Sequence, residues 1–81
     1  MKVAALDLGS NTFLMLIAEV NNIGEIGKIY RDECKITRLS EGVSKSRMIS
    51  SAALERAKET FKYYRALIEE YKVEKVQGVA T

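Results

Sequence analysis

Apolar residues occupy both parities over residues 2–8 and again over 12–20, the second run holding until Glu19. A strand with one wet side alternates, so this pattern predicts two strands covered on both faces. Gly9-Ser10-Asn11 separates them. Gly and Asn tolerate positive φ, and a tight turn is expected there. Asn21-Asn22-Ile23-Gly24 predicts a second turn. Residues 25–39 read as a third strand: Tyr30, Cys34 and Ile36 share one parity, Arg31, Glu33, Lys35 and Thr37 the other. Lys and Arg pointing outward suit an edge strand. Residues 39–47 are loop by composition. Ser50 or Ser51 then caps a helix running to about Lys72. Leu54, Ala57, Phe61, Tyr64, Ile68 and Tyr71 recur at three- and four-residue steps and predict its buried stripe. The charged residues between them, Arg56 included, read as its wet face. Residues 75–81 predict a fourth strand, reached through a helical crossover and therefore parallel to the first.

This order describes an α/β half-lobe, β-β-β-α-β, with three antiparallel strands, one parallel strand and a long helix on one face. The second face would expose more apolar surface than a soluble monomer usually carries. A partner, a second copy or more chain is expected to cover it, and more chain is preferred, because the sequence halts at a strand end. With 81 residues the chain is expected to form one domain, itself incomplete. It has 47% hydrophobic and 30% charged residues, which argues against disorder, and no linker or repeat divides it. A net charge of +2 points to neither a nucleic-acid nor a membrane partner. Asp7 interrupts the N-terminal apolar run before it reaches signal-peptide length, so a cytoplasmic protein is expected. Cys34 has no second Cys or His to share a disulfide or a metal with and reads as a small semi-buried strand residue.

Asp7 is the one carboxylate in the stretch from Val3 to Ala18, set where the first strand meets the turn. A buried charge needs a partner. It either ligates Mg²⁺, directly or through water, or makes a local Asx bond to its own turn. Gly9, Ser10, Asn11 and Thr12 supply successive N–H groups, a residue without a side chain and two hydroxyls, a set that can cradle phosphate. An ordinary hairpin satisfies the same composition. Arg38, Lys45 and Arg47 either line the approach of a polyanion or are solvated loop charges, and Tyr63-Tyr64 reads as packing plus a half-exposed neighbour.

Asp7-Leu8-Gly9-Ser10-Asn11-Thr12-Phe13 resembles the first phosphate-binding loop of the actin, heat-shock ATPase and sugar-kinase superfamily. Its D-x-G-S-N-[ST]-[FV] form resembles the exopolyphosphatase and guanosine pentaphosphate phosphohydrolase family. Arg38-Leu39-Ser40-Glu41-Gly42-Val43, the stretch Ile49 to Ala57 and Val76-Gln77-Gly78-Val79-Ala80-Thr81 resemble three further segments of it. The resemblance implies a ribonuclease-H-like lobe, with the phosphate chain held in a cleft between two lobes. It implies Mg²⁺ at Asp7 and substrate phosphate at Gly9, Ser10, Asn11, Thr12 and Arg38. The substrate implied is inorganic polyphosphate or guanosine pentaphosphate, and water is the nucleophile. The family's general base lies beyond residue 81, so no catalytic residue is expected within this chain and the chain alone is expected to be inactive. Leu14 stands where many members carry Arg or His. The alternatives are an actin-like ATPase or sugar kinase using the same loop, or a non-catalytic module that oligomerises through its bare face.

Overall fold

A computed structural model describes residues 1–43 and 48–80. The elements are β1 (Lys2–Leu8), β2 (Thr12–Val20), β3 (Ile26–Ile36), α1 (Ser51–Glu70) and β4 (Lys75–Ala80). They form one sheet in the order β3-β2-β1-β4. β1 runs antiparallel to β2 and parallel to β4, and β2 runs antiparallel to β3. The predicted order and directions hold. Strands that alternate in face while pairing across short turns leave little freedom in register, and Ala4 opposite Ile17, Leu6 opposite Met15 and Leu8 opposite Phe13 all face α1.

The helix begins where a hydroxyl can satisfy its first free N–H groups. Ser50 Oγ accepts from the Ala53 N–H at 3.1 Å, a cap contributing about 1 kcal/mol. It ends with Lys72 in the left-handed region, φ 54°. There the Lys72 N–H reaches the Glu69 carbonyl at 3.2 Å and the Val73 N–H reaches Ile68 at 3.1 Å, the paired closure that favours a left-handed residue at this position.

The buried stripe is rotated from the predicted one. Ala53, Ala57, Thr60, Tyr64 and Leu67 are buried, whereas Leu54 and Phe61 are each 44% exposed. Small residues let the helix approach closely, and Thr60 is admitted because its hydroxyl donates to the Arg56 carbonyl at 2.9 Å. Phe61 flanks the core, its ring 5.2 Å from that of Phe13. Tyr64, 1% exposed, donates from its hydroxyl to the Phe13 carbonyl at 2.6 Å and pins α1 to the start of β2. Burial pushes its phenol up to about 12. Tyr63 is half-exposed, as expected.

The parity predicted for β3 is also corrected. Arg31 pairs with Ile17 and Ile29 with Ala18, leaving Tyr30 as an extra residue in a bulge. A bulge turns two successive side chains to one side. Tyr30 therefore packs on Tyr71, ring centroids 5.9 Å apart, while Arg31 donates to the Tyr63 hydroxyl at 3.1 Å. Glu33 and Lys35 follow Arg31 toward the helix side, where Tyr63 meets both. Cys34 and Ile36 lie opposite Leu14 and Thr12 on the other face, and both are exposed, so Cys34 is not semi-buried. Thr37, expected to point out, is buried.

The face away from α1 is open. Ala5, Leu14, Ile26, Ile29, Ile36 and Val79 are all exposed. No helix of the described residues is long and apolar enough to cross a membrane.

Candidate functional site

Asp7 lies on the open face, between Leu14 of β2 and Val79 of β4. Leu8 opposite Phe13 is the last rung of the β1–β2 ladder, and beyond it the Gly9 N–H donates to the Thr12 carbonyl at 2.9 Å. The chain thus reverses over Ser10 and Asn11. Asp7, Gly9, Ser10, Asn11, Thr12 and Leu14 together line an open concavity of about 350 Å³. The predicted acid and turn residues are therefore brought to one place, with Asp7 half-buried at its floor strand.

The turn itself is not the expected kind. Among the described residues, positive φ occurs at Gly24, Gly42, Arg38 and Lys72, and none lies between residues 8 and 13. The reversal is shaped from outside. The Thr37 and Arg38 N–H groups both donate to the Asn11 carbonyl, at 2.8 and 3.1 Å, and the Ser40 N–H donates to the Ser10 carbonyl at 3.1 Å. Ser40 Oγ also donates to Asn11 Oδ1 at 2.6 Å. In a trans peptide the C=O and the next N–H point in opposite directions. Drawing the Ser10 and Asn11 carbonyls toward segment 37–40 therefore turns the Asn11 and Thr12 N–H groups the other way. Successive N–H groups aimed to one side attract an anion.

Arg38 is exposed and does not line the concavity. Its backbone adopts φ 53° and is tied to Asn11. Lys45 and Arg47 lie outside the described residues. Two residues were missed by sequence reasoning. Ser40 carries no signal beyond its loop. Arg56 was assigned to the wet face, yet it stands three residues after Ala53 and four before Thr60, within the corrected stripe. A helix phase taken from the small residues would have found it.

The described residues contain no group of three or more His, Cys, Asp or Glu that could hold a metal ion. A single carboxylate beside hydroxyls fits Mg²⁺, which keeps its waters and is bound through one or two carboxylates plus substrate phosphates. It does not fit a dedicated all-protein cage.

A mixed sheet of this order with one crossover helix, and a polar turn between its first two strands, is the half-lobe of an actin-like ATPase fold. No family model matches the chain. It is similar over 99% of its length to a solved Ppx/GppA family member from Aquifex aeolicus, with TM-score 0.88, 32% identity and 26% of that chain covered. A solved exopolyphosphatase from Cytophaga hutchinsonii matches with TM-score 0.84 and 27% identity, over 99% of this chain and 25% of that one. Exopolyphosphatase 2 of Mycobacterium tuberculosis is 34% identical over 83 residues, 99% of this chain and 26% of that protein. A bifunctional 3-dehydroquinate synthase/phosphatase of Fusobacterium nucleatum is 37% identical over 75 residues, 88% of this chain and 11% of that protein. The chain is similar to the N-terminal region of Ppx/GppA family members and spans about a quarter or less of these relatives.

Proposed function

We propose that this chain is the phosphate-binding part of a phosphohydrolase that releases terminal phosphate from inorganic polyphosphate. The observation carrying this reading is the convergence of Asp7 with Gly9, Ser10, Asn11 and Thr12 on one concavity. The names of the relatives, exopolyphosphatases and Ppx/GppA phosphatases, support the substrate class. Guanosine pentaphosphate, which also ends in a phosphoanhydride, is the second substrate of this reading. Asp7 would hold Mg²⁺, which when bound offsets phosphate charge and polarises the group under attack. The turn's N–H groups and the Ser10 and Thr12 hydroxyls would orient the terminal phosphoryl group, where fixed donors are worth most. Arg38, exposed beside Asn11, would meet the incoming polyanion.

The general base would come from chain beyond residue 81, and further chain would also cover the open face. The cytoplasm is the location this reading assigns. The test is orthophosphate release from long-chain polyphosphate by the intact protein with Mg²⁺. Release is expected, with Asp7→Ala lowering turnover by about a hundredfold or more. No release, or an Asp7→Ala variant as active as the parent, would overturn the proposal.

A further inference from the structure

The β1–β2 turn owes its shape to segment 37–40, and that segment is held in turn by one side chain. Arg56 projects from the second turn of α1. Its Nε donates to the Thr37 carbonyl at 2.7 Å, and its Nη2 reaches the Arg38 carbonyl at 3.4 Å. The same Nη2 meets Glu41 Oε2 at 2.6 Å. One planar guanidinium thus ties two successive carbonyls of the segment and the carboxylate just beyond it, using the fork of donors that only Arg offers.

Thr37 and Arg38 are the residues whose N–H groups grip the Asn11 carbonyl, and Ser40 grips Ser10 and Asn11. Their own carbonyls point back to Arg56. The chain of contacts is continuous: α1, guanidinium, the Thr37 and Arg38 peptides, the Asn11 carbonyl, and with it the Thr12 N–H of the same peptide. Arg38 gives this arrangement a reason to need a strap. A non-glycine residue at φ 53° is disfavoured and persists only where its surroundings hold it.

We propose that Arg56 is a positioning residue for the phosphate-binding turn. It touches neither phosphate nor metal and acts through the Thr37–Arg38 peptides. The claim deepens the phosphohydrolase reading and rests on it for the ligand. The strap itself rests on hydrogen bonds alone.

The experiment compares Arg56→Ala, Arg56→Lys and Glu41→Ala in the intact protein. Arg56→Ala is expected to lower kcat/KM for orthophosphate release from polyphosphate by about tenfold or more, since small displacements of binding groups are costly. Free guanidinium at millimolar concentration should restore part of that loss, and it should leave the parent unaffected. Arg56→Lys should not restore it, because a single ammonium cannot span the carbonyls and the carboxylate. Glu41→Ala, at an exposed carboxylate, should show a smaller loss in the same direction and remains informative if Arg56→Ala fails to fold. Amide ¹H–¹⁵N shifts of Ser10, Asn11 and Thr12 should move in Arg56→Ala. Parent-like kinetics in Arg56→Ala, or unmoved turn amides, would overturn the proposal. If the parent itself releases no orthophosphate, the hydrolase reading falls alone, and the amide shifts still decide for or against the strap.

Discussion

The turn at residues 21–24 closes on itself, while the turn at 9–12 leans on a distant segment, Ser40 reaching both Ser10 and Asn11. In the first, Asn21 Oδ1 accepts from the N–H groups of Ile23 and Glu25, at 3.1 and 2.9 Å. Gly24 supplies the positive φ of 85°. Every part of that turn is local, and its residues are those that such geometry demands. In the second, the Ser10 and Asn11 carbonyls are bound by segment 37–40, and no positive φ is used. A loop that only reverses the chain can be encoded in four residues. A loop that must present N–H groups to a ligand has few peptides left for closing itself, here the Gly9–Thr12 bond, so the rest of its shape is imposed from elsewhere. The difference predicts where substitutions will be felt.

The largest effect on stability is expected at Tyr64, which holds the strand leaving the binding turn. Tyr64→Phe removes the hydroxyl from the Phe13 carbonyl and should cost about 1–2 kcal/mol, read by chemical denaturation. The same phenol sets a pH dependence. Its pKa rises from 10.0 to about 12 in the folded chain. The folded state therefore holds the proton more tightly than the unfolded one. This contribution is fully present below pH 10 and is lost as pH climbs toward about 12. The loss is on the order of 2 kcal/mol. Tyr64→Phe should flatten that alkaline limb. A limb unchanged by the substitution would place the titration in other groups.

Next comes the self-contained turn. Gly24→Ala meets nothing within 4 Å, so steric contact is not the issue. The left-handed backbone is, at a cost of about 1–2 kcal/mol. Stability should fall by that amount while phosphate release stays unchanged. A drop in turnover would show that the far hairpin communicates with the site, and the contrast between the turns would fail.

Much of this was legible beforehand because it was local. Strand positions followed from apolar runs, the helix start from Ser50, the strand directions from short turns and one crossover. Asp7 and the Gly9–Thr12 stretch could be read together because they are contiguous. The helix phase was misread because Ala53 and Thr60 carry little hydropathic signal, although they mark the buried line better than Leu54 and Phe61. The β3 parity was misread because one bulged residue, Tyr30, reverses it and leaves no mark in composition. Ser40 and Arg56 escaped for a different reason. The partners that matter to them are backbone carbonyls and an amide across the fold, and a carbonyl has the same identity whatever residue carries it.

The smallest stability change separates the two turns most sharply. Ser40→Ala removes an exposed side-chain hydrogen bond to Asn11, and Asn21→Ala removes the exposed bonds to Ile23 and Glu25. At about 0.5–1.5 kcal/mol per bond, Asn21→Ala should cost at least as much in denaturation as Ser40→Ala. Their consequences for the ligand are expected to differ. Ser40→Ala loosens a turn that binds, and KM for polyphosphate should rise severalfold, with the amides of Ser10 and Asn11 broadened. Asn21→Ala loosens a turn that only connects strands, and KM should stay at the parent value. Equal rises in both would mean that general softening of the sheet, and not the hold of segment 37–40 on the binding turn, governs affinity.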